Sequence, residues 1–588
     1  MAEANKISDF DEREIANELD RLRHSTAHVM AHAVKRLYPQ AKFGIGPTIE
    51  DGFYYDIWLD TALTPEDLPR IEAEMKKIIK DNNRFERDEL SVEKARELFT
   101  RLDQPLKLEI IRDLGGSTFS VYQEGEFVDL CRGPHIESTG QIKAFKLLSI
   151  AGAYWRGKQE NQQLQRIYGT AFYSQKELDE HLHLIEEAKK RDHRKLGREL
   201  DLFSFDPVAP GSPFFHPKGT LVYNRLVQFV RELYRPFNYQ EIITPQIIDS
   251  SLWHRSGHYE NYKENMYFTE IEEREFAVKP MNCPASTFVY ASNKRSYRDL
   301  PLRLADFGRL HRYEKSGAIG GLTRVRTFCQ DDAHVFCTPE QIEPEVISLI
   351  DMILGTYEVF GFGKVDVFLS TRPEKRVGSD QLWDTAEKAL AKALDTKGKR
   401  YQINPGDGAF YGPKIDFIVH DALKRPWQLG TIQLDFNMPE RFQLEYTGAD
   451  NSAHRPVMIH RAVLGSVERF MGVLIEHYAG AFPFWLAPVQ CMVISINPDQ
   501  EEYCRGFLKT LREKGIRAEY DGRNESMGLK TREAQMQKIP LMFVAGKREV
   551  ETDTFSVRKY SEKTSTTMTK DALLEMMLEL EAAGKPKA

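Results

Sequence analysis

The chain has 588 residues, 41% of them hydrophobic, which is enough apolar material for several cores and a length that suits roughly three or four domains. Its formal net charge is −7, so a nucleic-acid partner would have to contact local basic patches, because the overall charge is unfavourable. No run of about 18 apolar residues occurs and the N-terminal residues are polar, so we expect a cytoplasmic protein without a membrane span or signal peptide.

Helices and short strands alternate in the first part of the chain. The apolar spacing predicts helices over residues 9–38, 64–81 and 91–103, with Thr64-Pro65 and Ser91 as N-terminal signals. Interleaved aromatic residues and glycines predict strands in FGIGPTIEDGFYYDIWL, LSIAGAYWRG and QLQRIYGTAFYS. We expect these elements to form one α+β domain, residues 1–175.

Histidines recur every four residues on the first predicted helix, at His24, His28 and His32. At 3.6 residues per turn, these imidazoles lie within one arc of the helix surface. The later DLCRGPH also places Cys131 and His135 four residues apart. A lone H-x-x-x-H is typical of a surface helix, and Ser25 breaks the metalloprotease pattern. Two such pairs favour a zinc tetrad or a hydrolytic pocket in which imidazoles handle a water molecule.

A charged helix is predicted from Gln175 to about Leu200. Its basic end could contact a phosphate backbone, although a solvated face between two domains is the commoner origin of such a charge run. We therefore place a helical linker at residues 176–200. The six cysteines of the chain are scattered and form no C-x-x-C pair, which argues against a disulfide framework or a zinc ribbon.

Residues 303–337 carry many charged side chains within a strand-like pattern. We predict two strands joined by a Gly-rich loop. Because strand side chains alternate between faces, Arg312 and Glu314 would share a face of the first strand, and Gln330 and Asp332 a face of the second. Burying such a face is costly unless a ligand or ion pairs with it, so the pattern favours a pocket for a charged molecule over a solvated sheet face.

Three motifs resemble those of the class II aminoacyl-tRNA synthetases. RYE at residues 312–314 followed by Arg324 resembles motif 2, whose arginine holds the ATP α-phosphate and the amino-acid carboxylate, as a planar fork of donors can. TLVYNRLVQFVRELYRPFNYQEIITP, read as a helix and a strand ending at Pro245, resembles the dimer-forming motif 1. GSVERF, with Arg469, resembles motif 3. The resemblance implies a class II antiparallel sheet with flanking helices, over residues 201–488, and a homodimer.

Within this class the chain resembles the threonyl-tRNA synthetase family over nearly its whole length. KPMNCP with Cys283, QDDAHVF with His334 and VMIHRAVLGS with His460 match the three residues that hold a catalytic zinc ion in that family. Local spacing does not single out these residues. The resemblance implies one Zn²⁺ per subunit, and three nitrogen and sulfur ligands leave the open coordination position that a substrate-binding zinc needs.

The activity implied by the resemblance is a threonine–tRNA ligase reaction. Threonine and ATP with Mg²⁺ would form threonyl-adenylate, and the acyl group would then pass to tRNA(Thr). The resemblance assigns ATP binding to Arg312, Glu314, Arg324, Gln428, Thr431 and Arg469. It assigns threonine binding to Gln330, Asp332, Tyr411 and Gln433. Arg312 and Arg469 would act in catalysis, and His258 matches a histidine of the transfer step.

A second site is expected because threonine and serine are hard to tell apart. Zinc ligation by amino and hydroxyl groups would reject valine, but serine keeps the hydroxyl and lacks one methyl, a difference worth about 1 to 3 kcal/mol. The resemblance implies an editing site for seryl-tRNA(Thr) formed by His24, His28, Cys131, His135 and Asp129. A similar tetrad binds zinc in the related alanyl editing domain, so a second metal ion stays an alternative.

After Pro488 the pattern changes to short α/β units. VQCMVISI, RAEYD and LMFVAG read as strands, and helices are predicted over residues 501–514, 529–538 and near the C-terminus. Residues 489–588 resemble the anticodon-binding domain of the subfamily. Asn524, Glu549 and Arg558 match its base-reading positions, where amide, carboxylate and guanidinium groups can pair with base edges.

The chain departs from the family in a few places. It starts near the editing domain, without the small N-terminal domain that most members carry, and Ala285-Ser286, Gly320 and Thr327 replace residues that are usual there. These departures bear on loop closure and tRNA affinity. Two alternatives stay open: a non-catalytic relative that binds RNA or regulates another protein, and a ligase for another amino acid such as serine or proline.

Overall fold

The computed structural model describes residues 17–158 and 160–586, and the chain divides into two compact units with the boundary between Glu186 and Glu187. Both units mix helices with largely antiparallel sheets, so the predicted α+β class is confirmed. Residues 9–16 of the first predicted helix lie outside the described residues. None of the described helices is long and apolar enough to cross a membrane.

Among its described residues, the N-terminal unit contains five α-helices and two sheets. The helices are α1 (Glu18–Leu37), α2 (Leu68–Asp81), α3 (Val92–Arg101), α4 (Pro105–Leu114) and α5 (Gln175–Arg191), which crosses the unit boundary. The strands are β1 (Lys42–Phe43), β2 (Thr48–Ile49), β3 (Gly52–Trp58), β4 (Glu86–Ser91), β5 (Thr118–Glu124), β6 (Phe127–Leu130), β7 (Ala144–Tyr154) and β8 (Gln163–Phe172). One sheet has the order β1-β3-β8-β7 with β2 beside β3, and the other has the order β4-β5-β6.

Helix α1 is the central helix of this unit. Asn17 caps it by accepting a hydrogen bond from the backbone N–H of Asp20. Leu22 and its apolar neighbours pack against α2, β3 and β8. His24 and His28 are buried with them, at 2% and 3% exposure. A solvated surface helix is therefore excluded, and both imidazoles need partners within the fold.

The second unit is built on an eight-stranded sheet. Its helices are α6 (His193–Glu199), α7 (Pro217–Tyr234), α8 (Ser250–Ser256), α9 (His258–Tyr262), α10 (Cys283–Ala291), α11 (Ile342–Val359), α12 (Asp380–Thr396), α13 (Asn437–Arg441) and α14 (Val467–His477). Its strands are β9 (Phe203–Phe205), β10 (Pro213–Phe215), β11 (Gln240–Glu241), β12 (Ile247–Asp249), β13 (Tyr267–Ile271), β14 (Arg274–Val278), β15 (Leu302–Asp306), β16 (Arg309–His311), β17 (Thr327–Cys329), β18 (Asp332–Cys337), β19 (Val365–Ser370), β20 (Gln402–Asn404), β21 (Lys414–His420), β22 (Pro426–Asp435), β23 (Tyr446–Thr447), β24 (Ala453–His454) and β25 (Val457–Ala462).

The large sheet has the strand order β11-β15-β18-β25-β22-β21-β19-β20, and its pairs are antiparallel except at the two edges. Helices α7, α11, α12 and α14 bury their apolar faces in one core against it. The helices predicted for motifs 1 and 3 are thus α7 and α14. The motif 1 strand, predicted to end at Pro245, spans only Gln240–Glu241.

Residues 303–337 pair antiparallel across the Gly-rich loop, as predicted, but each of the two predicted strands is divided in two. Strands β15 and β18 belong to the large sheet, whereas β16 and β17 pair with each other alone. The interruption between β17 and β18 falls at Gln330 and Asp331. There the buried carboxylate of Asp331 turns away to accept hydrogen bonds from the backbone N–H groups of Val463, Leu464 and Gly465. This tertiary contact overrides the local strand pattern.

The charged helix predicted from Gln175 to Leu200 is also interrupted. It breaks at Asp192, whose side chain accepts a hydrogen bond from the backbone N–H of Arg194 and thereby caps α6. Within α6, Leu196 is buried in the core of the second unit. The C-terminal half of the predicted helix is therefore a separate, packed element.

The C-terminal part of the second unit carries its own sheet. The elements are β26 (Cys491–Ser495), α15 (Glu501–Glu513), β27 (Ala518–Asp521), α16 (Met527–Met536), β28 (Leu541–Ala545), α17 (Lys547–Glu551), β29 (Thr554–Lys559), β30 (Thr566–Thr569) and α18 (Lys570–Ala582). The strand order is β27-β26-β28-β29-β30, parallel over the first three strands and antiparallel afterwards. The predicted strands and helices are confirmed, and β29, β30 and α17 join them.

Candidate active site and second histidine–cysteine site

A thiol and two imidazoles converge on the large sheet. Cys283 opens α10, and His334 on β18 lies directly opposite His460 on the neighbouring β25. The three ligand atoms lie within 4.8 Å of one another, and all three side chains are buried. These residues are separated by 51 and by 126 positions in the chain, so only folding brings them together. One thiol and two imidazoles in such a cluster are a suitable donor set for zinc.

The hydrogen bonding of this cluster is compatible with a bound cation. The Nδ1 atom of His334 is buried and has no hydrogen-bond partner among the described residues. The Nε2 atom of His460 lies 3.0 Å from a carboxylate oxygen of Asp435, which orients the ring. Burial raises the pKa of the Cys283 thiol and lowers that of His334. A neutral imidazole can ligate a metal directly, whereas the thiol would need the charge of the metal to lose its proton.

Polar side chains surround the cluster. The hydroxyl of Tyr411 donates to Gln433 over 2.8 Å, and Gln433 pairs with His460 across β22 and β25. Asp332 accepts a 2.8 Å hydrogen bond from Asn282, and burial raises the pKa of its carboxyl to about 6. These groups can hold the ammonium or hydroxyl group of a small ligand. Sequence reasoning missed Asn282, although it directly precedes Cys283.

Three arginines of the second unit differ in how they are paired. Arg312 donates to the carbonyl of Pro280 and stacks over Phe328. Arg324 pairs with Glu314 at 2.9 Å. Burial and the charge of Arg324 both lower the pKa of Arg469, whose buried Nε atom has no hydrogen-bond partner in the described part of the chain. Two neighbouring guanidinium groups of this kind could bind an anion such as phosphate.

Further predicted residues occupy the neighbouring strands. Gln428 and Thr431 on β22 both contact a carboxylate oxygen of the buried Asp416, at 2.7 and 3.3 Å. Gln330 forms an isolated bridge to Ser466 at the start of α14. His258 opens α9 and is fully buried, with its Nε2 atom 3.9 Å from the sulfur of Cys283. The structure thus places all of these residues in the same unit as the cysteine–histidine cluster.

A second cluster lies in the N-terminal unit. His24 and His28 of α1 meet Cys131 and His135 from the loop after β6, and the four ligand atoms lie within 4.8 Å of one another. The Cys131 sulfur is 3.0 Å from Nε2 of His24 and 3.3 Å from Nε2 of His135. Burial lowers the pKa of His24 to about 4 and that of His28 further below its usual value. Neutral imidazoles at pH 7 can either ligate a metal or accept a proton.

The fifth predicted residue of this cluster, Asp129, has additional partners that sequence reasoning missed. Its carboxylate lies 2.6 Å from Nζ of Lys107, 3.7 Å from Nδ1 of His28, and accepts a hydrogen bond from the hydroxyl of Tyr55. Together with Cys131 these residues line an open cavity of about 290 Å³. Lys107 is far from Tyr55, His28 and Asp129 in the sequence, so no local motif links them. The helical spacing of α4 is the one sequence signal that bears on Lys107.

The three residues matched to base reading lie on separate elements of the C-terminal sheet region. Asn524 is exposed in the loop after β27, and Arg558 on β29 donates to the carbonyl of Glu562. The carboxylate of Glu549 accepts a hydrogen bond from the backbone N–H of Gly546 and caps α17. The sequence pattern does not indicate this capping role of Glu549.

Three family models match the chain. The tRNA synthetase class II core domain (G, H, P, S and T) matches residues 267–478, which include the cysteine–histidine cluster and the arginines. An anticodon binding domain matches residues 490–580. The threonyl and alanyl tRNA synthetase second additional domain matches residues 119–168, which include Asp129, Cys131 and His135.

Similar proteins cover most of the chain. A threonine–tRNA ligase of Clostridium botulinum (strain Langeland) is 56% identical over 561 residues, which are 95% of this chain and 88% of that protein. One of Acetivibrio thermocellus is 57% identical over 540 residues, 92% of this chain and 85% of that protein. The crystal structure of the RNA binding domain of threonyl-tRNA synthetase from Cryptosporidium parvum Iowa II matches with a TM-score of 0.65 and 45% identity, over 68% of this chain and 99% of that one. The chain therefore belongs to the threonine–tRNA ligase family.

Proposed function

We propose that the chain activates L-threonine with ATP and transfers it to tRNA(Thr) in the second unit, with Cys283, His334 and His460 holding one zinc ion that selects the amino acid. The observation that supports this most directly is the convergence of one thiol and two imidazoles, with the Nδ1 atom of His334 unpartnered among the residues that the structure describes. Zinc held by these three side chains would supply an electrophilic centre that the amino and hydroxyl groups of threonine could bind.

Threonine recognition then rests on the polar side chains around the cluster. Asp332 would accept a hydrogen bond from the amino group, while Gln330, Tyr411 and Gln433 would close around the side chain and carboxylate. A pocket that recognises the hydroxyl rejects valine strongly, because the polar groups facing valine would be left unpaired. Serine satisfies the same groups and loses only the contacts of one methyl.

ATP binding and activation are assigned to the arginines. Arg312 would bridge the threonine carboxylate and the α-phosphate, which brings the attacking oxygen to the phosphorus and neutralises the developing charge. Arg469 and Arg324 would bind the remaining phosphates and the adenine, with Mg²⁺ as the counter-ion of the triphosphate. Glu314, Gln428 and Thr431 would complete the nucleotide site, which requires Arg324 to exchange its pairing with Glu314 for the nucleotide.

His258 is proposed for the transfer step through its match to the family. Its ring is held behind Cys283 by a 2.8 Å contact of Nδ1 with Ser256 and a 3.1 Å contact of Nε2 with the sulfur of Met281. A tRNA ribose could reach Nε2 only if Met281 moved. A role of His258 in the transfer step therefore requires Met281 to move when tRNA binds.

The cluster of the N-terminal unit is proposed to hydrolyse seryl-tRNA(Thr). Its support is the group of neutral imidazoles at an open cavity that also contains the Lys107–Asp129 pair. His28 would take a proton from the attacking water, while Lys107 and Asp129 orient the substrate. Zinc held by the tetrad is the alternative arrangement, because the donor set suits both.

We further propose the layout and assembly expected from the sequence. Residues 1–175 would form the editing domain, 176–200 the linker, 201–488 the catalytic domain and 489–588 the domain that binds the anticodon through Asn524, Glu549 and Arg558. A cytoplasmic location stays a prediction. A homodimer through motif 1 is supported by the exposure of large apolar residues in and directly after it, since Ile243 is 92% exposed and Ile247 51%.

Threonine-dependent ATP–pyrophosphate exchange with the purified chain tests the proposal. We expect exchange with threonine, weaker exchange with serine, and none with valine or proline. Exchange driven by proline would contradict the threonine assignment. The absence of exchange with every amino acid would favour a non-catalytic RNA-binding relative.

A further inference from the structure

His193 connects two segments of the second unit that are far apart in sequence. It is the first residue of α6 and is 4% exposed. Its backbone N–H and its Nδ1 atom both contact one carboxylate oxygen of Glu476, near the end of α14, at 3.0 and 2.6 Å. On its other edge, Nε2 accepts a 2.9 Å hydrogen bond from the backbone N–H of Leu322.

These contacts define the hydrogen-bonding state of the ring. A backbone N–H can only donate, so Nε2 faces Leu322 with its lone pair. The ring proton is then on Nδ1 and is donated to the carboxylate of Glu476. His193 thus relays the position of Glu476 to the backbone of Leu322. Arg425 anchors the other carboxylate oxygen of Glu476.

Leu322 belongs to a tight turn, Gly321–Thr323, that leads directly into Arg324. The carbonyl of Thr323 accepts a 3.1 Å hydrogen bond from Nη1 of Arg469. The turn is therefore held on one side by His193 and on the other by Arg469. Arg324 and Arg469 are both assigned above to ATP binding. The turn connects both of them to His193.

Steric contacts fix the turn against the ring. Gly321 has a φ of +59°, and a Cβ at this position would lie 2.2 Å from Nε2 of His193. On α14, a Cβ at Gly472 would lie 3.1 Å from Cβ of Leu322. The ring and the helix therefore approach the turn more closely than a side chain at either glycine would allow.

We propose that His193 is a positioning residue for the ATP site: by relaying Glu476 to the N–H of Leu322, it fixes the turn from which Arg324 projects and to which Arg469 is bonded. The inference rests on the proposed roles of these two arginines. In the linker helix predicted from the sequence, His193 was only part of a charged face.

A metal ion bound by Asp192, His193 and Glu476, whose ligand atoms also cluster, is a poorer account of the same residues. Both ring nitrogens of His193 are already engaged in hydrogen bonds. Both carboxylate oxygens of Asp192 accept from the guanidinium of Arg194. Metal binding would have to break each of these contacts.

Two conservative substitutions separate the contact of His193 with Glu476 from its contact with Leu322. In His193→Gln the side-chain oxygen can replace Nε2 as acceptor for Leu322, whereas the shorter side chain of His193→Asn can reach only Glu476. We expect His193→Asn to raise the KM for ATP roughly tenfold in threonine-dependent exchange, with the KM for threonine unchanged, and His193→Gln to restore most of the difference. Gly321→Ala displaces the same turn at its contact with the His193 ring and should raise the KM for ATP in the same way. This variant decides the question if His193→Asn does not fold.

Two controls distinguish positioning from general destabilisation. Leu196→Ala removes a buried side chain from the same helix and should lower the unfolding temperature without changing the KM for ATP. Arg324→Ala should raise that KM directly. An unchanged KM in His193→Asn and Gly321→Ala, or an equal rise in Leu196→Ala, would overturn the positioning role alone. An unchanged KM in Arg324→Ala would overturn the proposed ATP site, and the inference with it.

Discussion

His334 and His460 lie directly opposite each other on antiparallel strands, with their ring centroids 5.1 Å apart and their planes nearly perpendicular. Directly opposed residues on neighbouring strands have side chains on the same face of the sheet. One face of the large sheet therefore carries both imidazoles, and α10 brings Cys283 to them. The selection of threonine that we propose depends on this arrangement.

The orientation of His460 should depend on Asp435. One carboxylate oxygen of Asp435 accepts from the backbone N–H groups of Asn437 and Met438, and the other faces Nε2 of His460. In Asp435→Asn, the amide oxygen can still accept from the backbone N–H groups of Asn437 and Met438, but the amide N–H₂ then faces the ring of His460. The proton would then move to Nδ1, so we expect zinc affinity to fall by about 10- to 100-fold. Competition with a chelator measures this, and unchanged affinity would show that His460 is not a ligand.

Removal of His28 should abolish editing while leaving aminoacylation intact. We expect His28→Ala to accumulate seryl-tRNA(Thr), because the cavity loses the imidazole nearest to Asp129. His32→Gln is the matched control. His32 is equally buried on α1 but is bonded to Glu124, outside the tetrad. Deacylation assays with preformed seryl-tRNA(Thr) should separate the two variants, and equal deacylation by both would exclude the proposed site.

The fork geometry of Arg312 should matter more than its charge. Arg312→Lys keeps one positive charge but cannot bind carboxylate and phosphate oxygens at the same time. We expect the kcat of pyrophosphate exchange to fall by about 10²- to 10³-fold. Arg298→Lys, at an exposed position bonded to Tyr297, should have no effect. A loss of less than threefold in Arg312→Lys would argue that Arg312 lies outside the reaction centre.

Two buried glutamates of α14 should respond to pH with opposite signs. Burial alone would raise the pKa of Glu476, but hydrogen bonds from His193 and the charge of Arg425 outweigh it, so the net pKa lies below the ordinary 4.5. The stability that Glu476 contributes is present above pH 4.5 and is lost as the pH falls. Urea midpoints of the chain and of Glu476→Gln should therefore converge as the pH is lowered below about 4.5.

Burial raises the pKa of Glu468, despite the opposing charge of Arg309. The proton-linked stability of this group is present at low pH and is lost as the pH rises above its ordinary pKa. The stability of the chain relative to Glu468→Gln should therefore fall with rising pH, the reverse of the trend at Glu476. If the stability difference changed with pH in the same direction for Glu468→Gln and Glu476→Gln, the opposite pKa shifts of the two glutamates would be contradicted.

Several elements follow from local signals in the sequence. Ser91 caps α3 and Ser466 caps α14, as their side-chain chemistry predicts. Asp192 is an equally good capping residue, but the charge run around it favoured one continuous helix. The helix ends before Asp192 in the structure, where His193 is bonded to Glu476, a contact across 283 positions that local sequence cannot indicate.

The functional sites depend on contacts that local pattern cannot supply. The pairing of Lys107 with Asp129 joins α4 to β6, and the inward turn of Asp331 depends on backbone N–H groups more than 130 positions away. Cys283, His334 and His460 could be named only because motifs of a known family surround them. Periodicity in the sequence predicts helices and strands, but the distances between their side chains are set by how these elements pack in the core.

The zinc content of the chain and of Cys283→Ser tests the account most directly. Cys329→Ser serves as the control, because Cys329 is also buried in the second unit but lies outside the cluster. We predict that Cys283→Ser lowers bound zinc by one ion per chain and abolishes threonine-dependent exchange, while Cys329→Ser retains the metal. Full retention of zinc in Cys283→Ser would contradict the proposed site.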